Sequence, residues 1–342
     1  MLRDMLVLDF TKGYCGAFAT SALAVQGAKV HKIIIEDNKD FLLNLGIKAE
    51  GSSTRFMAYN GNKEVVIVDK GQEEGLNSLI KNADVIVVNE NINKGFISYE
   101  KVKEMNPNVV FANISALGEN YQKMPYAESS AFVQALAGIV DMTGFPEKAP
   151  VMPGANMIEN FCGLSLSVAI VTAYYNKLMN NTGENIKFSM YNTVFSIMES
   201  PILFSELQNL DVSRCGNGDY GTLVPYDVYE CKDGYFSAGL AGETGWDRFC
   251  EAIGKPELIE DERFITNEKR CENYKEATAI ISEFCLTKTR NELVKVFTTK
   301  DIPNSPVLSI GETMQVGQVN DREMVVPLPN GWLVPGNPVK SV

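Results

Sequence analysis

The chain reads as an α/β protein whose first half builds a parallel sheet. Two observations predict this. Short apolar runs alternate with helical stretches as far as Gly118, and beyond it helical spacing takes over, interrupted by one clear hairpin. Strands that alternate with helices imply βαβ units, whose right-handed crossovers bring the strand ends to one edge of the sheet.

The elements follow in order. Residues 5–10 and 30–35 are apolar strands, joined by an alanine-rich helix over 18–26 that Gly27 closes. Residues 64–69 form a third strand, 76–82 a helix, 85–88 a strand and 99–105 a helix. Asn106-Pro107 then leads into a strand over 109–115. Residues 130–140 and 164–179 carry apolar side chains at helical spacing, Asn180-Asn181-Thr182-Gly183 is a turn, and 186–190 return to strand alternation. Polar, glycine-rich chain over 201–222 marks a linker. Residues 224–230 and 235–238 flank Lys232-Asp233-Gly234 as a hairpin, 246–299 are helical, and 303–306 open an irregular tail. The expected organisation is a large domain over 1–200, completed by 308–342, with the linker at 201–222 and a small α/β domain at 223–307.

Composition narrows the function. A content of 45% hydrophobic and 22% charged residues is that of a globular protein rather than a disordered one. Acidic residues outnumber basic ones, 43 to 31, and no Lys/Arg run occurs, so a nucleic-acid partner is not expected. No uninterrupted apolar run of about 18 residues predicts a membrane span, and the charged start is no signal peptide. The seven cysteines are odd in number and form no CxxC pair, which predicts reduced thiols in a cytoplasm and no zinc site. His31 is the single histidine. A histidine triad or two-histidine metal centre is therefore not expected, and the prediction is for no metal.

A series of short phrases adds a resemblance. Leu8-Asp9-Phe10-Thr11, Cys15-Gly16 and Gly27-Ala28 come first, followed by Asn60-Gly61-Asn62-Lys63, Ala83-Asp84-Val85, Glu90-Asn91 and Asn106-Pro107. Tyr226 and Asp233-Gly234 precede Trp246, Phe249-Cys250, Gly254-Lys255-Pro256, Asp261, Arg263-Phe264 and Arg270, and Pro303 and Pro306-Val307 close the series. In this order the chain resembles the class III CoA-transferases, the family of formyl-CoA transferase, carnitine CoA-transferase and alpha-methylacyl-CoA racemase. The resemblance implies a large Rossmann-like domain, a smaller α/β domain and an interlocked dimer, either a homodimer or a heterodimer with a paralogue. In length, and in Pro225-Tyr226-Asp227-Val228-Tyr229-Glu230, the chain looks closer to the racemase branch.

The resemblance also implies a chemistry. In these transferases an aspartate attacks an acyl-CoA thioester, and the ungapped count from Pro150 to Gly163 places Glu159 on that position. A glutamate carboxylate can do the same work, forming a mixed anhydride and then an enzyme thioester with coenzyme A. A second reading stays open: Glu159 as an acid in the first turn of a helix, where it stabilises the helix by about 0.3–1 kcal/mol. By position, CoA would be held by Lys63, Val68, Lys70, Asn91 and Ile92, with Lys94 adding charge for the phosphates. The family's phosphate-binding Glu-Arg is Ile34-Ile35 here, and a family glutamine is Tyr14.

The expected function is transfer of CoA between an acyl-CoA and a small carboxylic acid. The alternatives are a non-catalytic subunit that partners an active paralogue, or an acyl-CoA racemase or isomerase. The racemase dyad is absent in the alignment, which puts Ser129 and Ser130 at its positions and leaves Glu128 and Glu243 as acid candidates.

Overall fold

A computed structural model describes the chain except for residues 36–39, 50–51, 69–72, 90–96, 119–129, 155, 209–211, 213, 220, 241–242 and 341–342. It divides into two units. One comprises Met1–Val140, Met152–Val212 and Asp321–Val342, the other Asp141–Val151 and Ser213–Asn320.

The first unit is built on six strands: β1 (Leu6–Asp9), β2 (Lys29–Ile35), β3 (Glu64–Val68), β4 (Val85–Asn89), β5 (Val110–Ser115) and β6 (Glu184–Ser189). All neighbouring pairs are parallel and the order is β3-β2-β1-β4-β5-β6. This is the doubly wound order, and the winding reverses between β1 and β4, where the carboxyl ends of the strands open a crevice. The central strands are apolar because helices cover both faces: Val7, Leu8, Val85, Ile86 and Val87 are fully buried.

The helices of this unit are α1 (Tyr14–Val25), α2 (Thr54–Asn60), α3 (Glu73–Asn82), α4 (Tyr99–Met105), α5 (Ser130–Leu136), α6 (Met157–Asn180), α7 (Met190–Ser196) and α8 (Glu199–Gln208). Helix α6 packs directly on α1. A Cβ added at Gly163 would stand 2.6 Å from the Cys15 carbonyl oxygen and 3.1 Å from the Ala19 nitrogen, so glycine permits the contact. The 24 residues of α6 include an 18-residue window of mean hydropathy 1.4, long and apolar enough to cross a membrane. The apolar residues of α6 do not form an uninterrupted run, since Ser165, Ser167 and Thr172 interrupt them. Half of that window is buried inside the protein, as in a core helix.

The second unit carries a three-stranded antiparallel sheet of β7 (Tyr226–Cys231), β8 (Gly234–Gly239) and β9 (Asn304–Pro306), in the order β9-β8-β7. It is packed by α9 (Trp246–Ala252), α10 (Asn267–Glu272), α11 (Tyr274–Leu286) and α12 (Arg290–Thr299). Several phrases of the family resemblance meet in its core. Trp246 stacks on Phe249 and donates to the Leu258 carbonyl at 3.2 Å. The fully buried Arg270 lies 4.8 Å from the Trp246 ring and donates to the carbonyls of Val224 (2.7 Å) and Phe264 (3.0 Å). A guanidinium is tolerated in a core only when its donors are used in this way.

The division runs at other residues than the sequence suggests. The stretch 201–222, read as a linker, begins inside α8. Residues 141–151 go with the second unit because the backbone of Gly216 donates to Gly144 at 2.9 Å and Arg214 binds the Asp141 carbonyl and carboxylate at 2.8 and 3.0 Å. Residues 308–320 join the second unit as well, through the pairing of Arg290 with Glu312 at 2.8 Å. The tail from Asp321 lies with the first unit: a Cβ at Gly61 would meet Leu328 at 2.5 Å, and Gln26 donates to Asn337 at 3.3 Å.

Candidate active site

The carboxyl edge at β1 is organised by buried charge. Oδ1 of Asp9 accepts from the backbone (2.9 Å) and hydroxyl (2.6 Å) of Thr11, while Oδ2 accepts from the Thr20 hydroxyl (2.6 Å) and Lys63 Nζ (2.9 Å). Lys32 Nζ lies 3.5 Å from Asp9 and 3.1 Å from Asp40, and it also donates to the Thr11 carbonyl. Asp40 in turn accepts from the backbones of Gly13 (3.2 Å) and Leu42 (3.0 Å). Two acids and two lysines thus balance one another inside the protein. Burial would raise the Asp9 pKa, but Lys32, Lys63 and the two hydroxyls together hold it below the usual carboxylate range. Burial lowers Lys63 to about 8, with Asp9 opposing.

This cluster fixes the reversal that leads from β1 into α1. The Lys12 backbone donates to Asn89 at the end of β4 (2.6 Å), closing the switch point. Gly13 turns with φ +83°, and a Cβ there would stand 2.8 Å from the Phe41 ring. Tyr14 follows as the first residue of α1, with its ring edge-on to Phe41 at 6.5 Å and to Tyr59 at 5.2 Å. Arg55 of α2 donates to the Tyr14 hydroxyl at 3.0 Å.

Glu159 stands beside this aromatic group. It is 7% exposed in the first turn of α6, which begins after Asn156 in the left-handed conformation (φ +52°). The Tyr59 hydroxyl donates to Asn160 at 3.0 Å and accepts from Asn156 at 3.3 Å, so α2 grips the residues on both sides of Glu159. Two thiols lie close by. Burial raises the Cys15 thiol well above its ordinary value, with Cys162 and Glu159 adding to the effect. Burial and the Glu159 charge push Cys162 up to about 12. Both therefore stay protonated at neutral pH. The site offers a shielded carboxylate at a helix N-terminus, with amide and phenol groups alongside.

Of the residues anticipated from sequence, Glu159 is placed at this edge. The Lys63 ammonium is turned into the protein. Its hydrogen bonds go to Asp9 (2.9 Å) and to the Ala17 carbonyl, Thr20 and Asn60 (2.8 Å each), and its side chain is fully buried. Lys63 was expected by position among the groups that hold CoA; its ammonium is used inside the protein, which leaves its backbone for that role. The Val68 side chain is buried in the core, which leaves its backbone at the end of β3. Lys70, Asn91, Ile92 and Lys94 lie outside the described residues, as do Glu128 and Ser129. Glu243, in the second unit, accepts from the Asn267 backbone (2.5 Å) and lies 3.5 Å from Arg270, anchoring the start of α10. His31 is packed in β2 with Nδ1 3.4 Å from Glu64, and burial lowers its pKa. Among the described residues no cluster of three or more His, Cys, Asp or Glu side chains could hold a metal.

Sequence reasoning missed the partners of Asp9 and the roles of Tyr59 and Arg55. One signal was present. Lys32 sits within the run Val30-His31-Lys32-Ile33-Ile34, and a lysine in a strand buried on both faces must have a partner.

The fold and site together define a doubly wound α/β protein with a buried carboxylate at the carboxyl edge of its sheet. The chain belongs to CoA-transferase family III, whose sequence model matches residues 2–341. It is 26% identical to an acetyl-CoA:oxalate CoA-transferase of Acetobacter aceti, over 98% of this chain and 88% of that one. It is 27% identical to a formyl-CoA:oxalate CoA-transferase of Streptomyces coelicolor, over 99% and 88% of the two chains. Among solved structures its fold is similar to that of a CaiB/BaiF family protein from Brucella suis, with a TM-score of 0.87, 24% identity, and coverage of 98% and 91%.

Proposed function

We propose that the protein transfers CoA from an acyl-CoA to a free carboxylic acid, with Glu159 as the nucleophile. The observation that carries this reading is the placement of Glu159. It occupies the family's nucleophile position by ungapped count and is a buried carboxylate in the first turn of α6. The Glu159 carboxylate attacks the thioester carbonyl, the C–S bond breaks, and CoA thiolate leaves behind an acyl-glutamyl anhydride. The thiolate then attacks the glutamyl carbonyl, releasing the first acid as its carboxylate and leaving a glutamyl-CoA thioester. The incoming acid repeats the two steps in reverse order, which frees Glu159 and forms the new acyl-CoA. Backbone amides in the first turn of α6 favour the negative charge that develops.

The relatives named above act on oxalate, and a succinate–glutarate CoA-transferase of Agrobacterium fabrum is 26% identical to the chain. We therefore assign the acid substrate to the short dicarboxylic acids. CoA runs along the carboxyl edge of the sheet, held by the Val68 backbone, Lys70, Asn91, Ile92 and Lys94, with Lys63 supporting the edge from inside. A second copy or a paralogue covers α6, whose residues Met157, Leu164, Val168, Tyr175 and Leu178 are apolar and exposed. The free thiols suit a reducing cytoplasm.

The test is an exchange assay in which purified protein, acetyl-CoA or succinyl-CoA and a panel of acids are followed by liquid chromatography and mass spectrometry. Formation of the acceptor's CoA thioester, at the expense of the donor, is the expected result. No exchange, together with no CoA binding by calorimetry, would instead make the chain the non-catalytic partner of an active paralogue.

A further inference from the structure

We propose that Arg55 sets the acid specificity of this site, its guanidinium receiving the second carboxylate of a short dicarboxylic acid whose first carboxylate reacts at Glu159. The side chain is held in place. A Cβ added at Gly46, which turns with φ +81°, would stand 2.8 Å from Arg55 Cγ, so the arginine stem lies on bare backbone. At the far end Nη1 donates to the Tyr14 hydroxyl at 3.0 Å, and the guanidinium carbon lies 5.8 Å from the centre of the Tyr14 ring. A guanidinium carries five N–H donors in a planar fork that matches a carboxylate with two parallel bonds.

The other donors of Arg55 meet no acid among the described residues. Among the described residues no carboxylate pairs with the exposed Arg55, Arg3 or Arg322, whereas Arg214, Arg248, Arg263, Arg270 and Arg290 each lie within ion-pair distance of an acid; of the three, only Arg55 is hydrogen-bonded to a tyrosine in the aromatic group beside Glu159. In a chain of net charge -12, carboxylates are abundant. An exposed guanidinium held on the aromatic group that leads to Asn160 is suited to an anion from outside.

Two sets of contacts tie Arg55 to the reacting centre. The Tyr14 ring that it covers meets Tyr59 at 5.2 Å, and the Tyr59 hydroxyl binds Asn160, the neighbour of Glu159, at 3.0 Å. Along α1, Tyr14 is followed by Cys15, whose carbonyl packs against Gly163, one turn beyond Glu159. The buried charges hold this frame still, since Asp40 binds the Gly13 backbone just before Tyr14 and the Leu42 backbone just after Phe41. A preorganised arginine loses little entropy when it captures its ligand.

Because this role rests on the acyl-transfer reading of Glu159, binding is measured apart from turnover. The Glu159→Gln protein is titrated calorimetrically with oxalate, malonate, succinate and glutarate, with the monocarboxylic acids of equal length, and with CoA. At least one dicarboxylate is expected to bind about tenfold or more tightly than its monocarboxylic counterpart. Adding Arg55→Gln is expected to abolish that advantage while leaving monocarboxylate and CoA affinities unchanged, and Arg55→Lys to restore part of it. Three results would overturn the assignment: no dicarboxylate preference, a preference that survives Arg55→Gln, or a parallel loss of CoA affinity, which would place a phosphate on Arg55. An Arg55-dependent preference in a protein that shows no exchange would keep the anchor and discard the nucleophile.

Discussion

Lys63 Nζ lies 2.9 Å from Asp9 Oδ2, and neither side chain is exposed to solvent. Removing one member of a buried pair leaves an uncompensated charge and costs about 3–5 kcal/mol. Lys63→Met is expected to lower the unfolding free energy by about 3 kcal/mol or more. The double variant Asp9→Asn, Lys63→Met is expected to recover part of this, since Lys32 still has Asp40 at 3.1 Å. Urea unfolding of the four proteins of the cycle reads the coupling. Additive losses would show that the pair does not act as a unit.

The same pair sets a pH dependence. Asp9 has a lowered pKa in the folded state, so its contribution is complete above about pH 4 and is lost as pH falls toward the folded value. Lys63 is lowered from 10.5 to about 8. Between these two values the unfolded chain holds a proton that the folded chain has released, so stability from this group rises with pH. The urea midpoint of the wild type, relative to Lys63→Met, is expected to climb between about pH 8 and pH 10. A relative fall across that window would contradict the assignment.

Gly163 allows α6 to close on α1, with 2.6 Å between the position of an added Cβ and the Cys15 carbonyl oxygen. Gly163→Ala therefore forces the helices apart one turn beyond Glu159. A loss of about 1–3 kcal/mol in stability is expected, together with a fall in kcat that exceeds any change in KM for acyl-CoA. Unchanged kcat would show that the helix contact does not position the carboxylate.

The exposed apolar residues of α6 recur at 157, 161, 164, 168, 171, 175 and 178, alternating by four and three, as in a helix seam that meets another helix. Val168→Glu is expected to shift the protein toward smaller species in light scattering after gel filtration. A wild type that is already monomeric would remove the expected dimer.

Much of the sheet was legible because strands buried on both faces are apolar almost throughout. The expected strands over 85–88 and 109–115 correspond to Val85–Asn89 and Val110–Ser115. Helix ends were less legible. The helix expected over 130–140 stops at Leu136, ahead of Gly138, which adopts φ +89°. The apolar spacing read over 164–179 belongs to a helix that begins at Met157, after Asn156 in the left-handed conformation, which puts Glu159 in its first turn. Glu159 was found through the spacing of the family phrase. Arg55 and Tyr59 were not, since their importance lies in contacts with Tyr14 and Asn160, 41 and 101 residues away in the chain. The grouping of 141–151 with the second unit rests likewise on the hydrogen bond from Gly216 to Gly144.

In the proposed reaction Glu159 carries the CoA. The most direct test is the intact mass of the wild type after incubation with acyl-CoA, with and without hydroxylamine, compared with Glu159→Gln under the same conditions. A CoA-sized increment is expected on the wild type alone, converted by hydroxylamine to a hydroxamate at Glu159. An increment that persists in Glu159→Gln would contradict it.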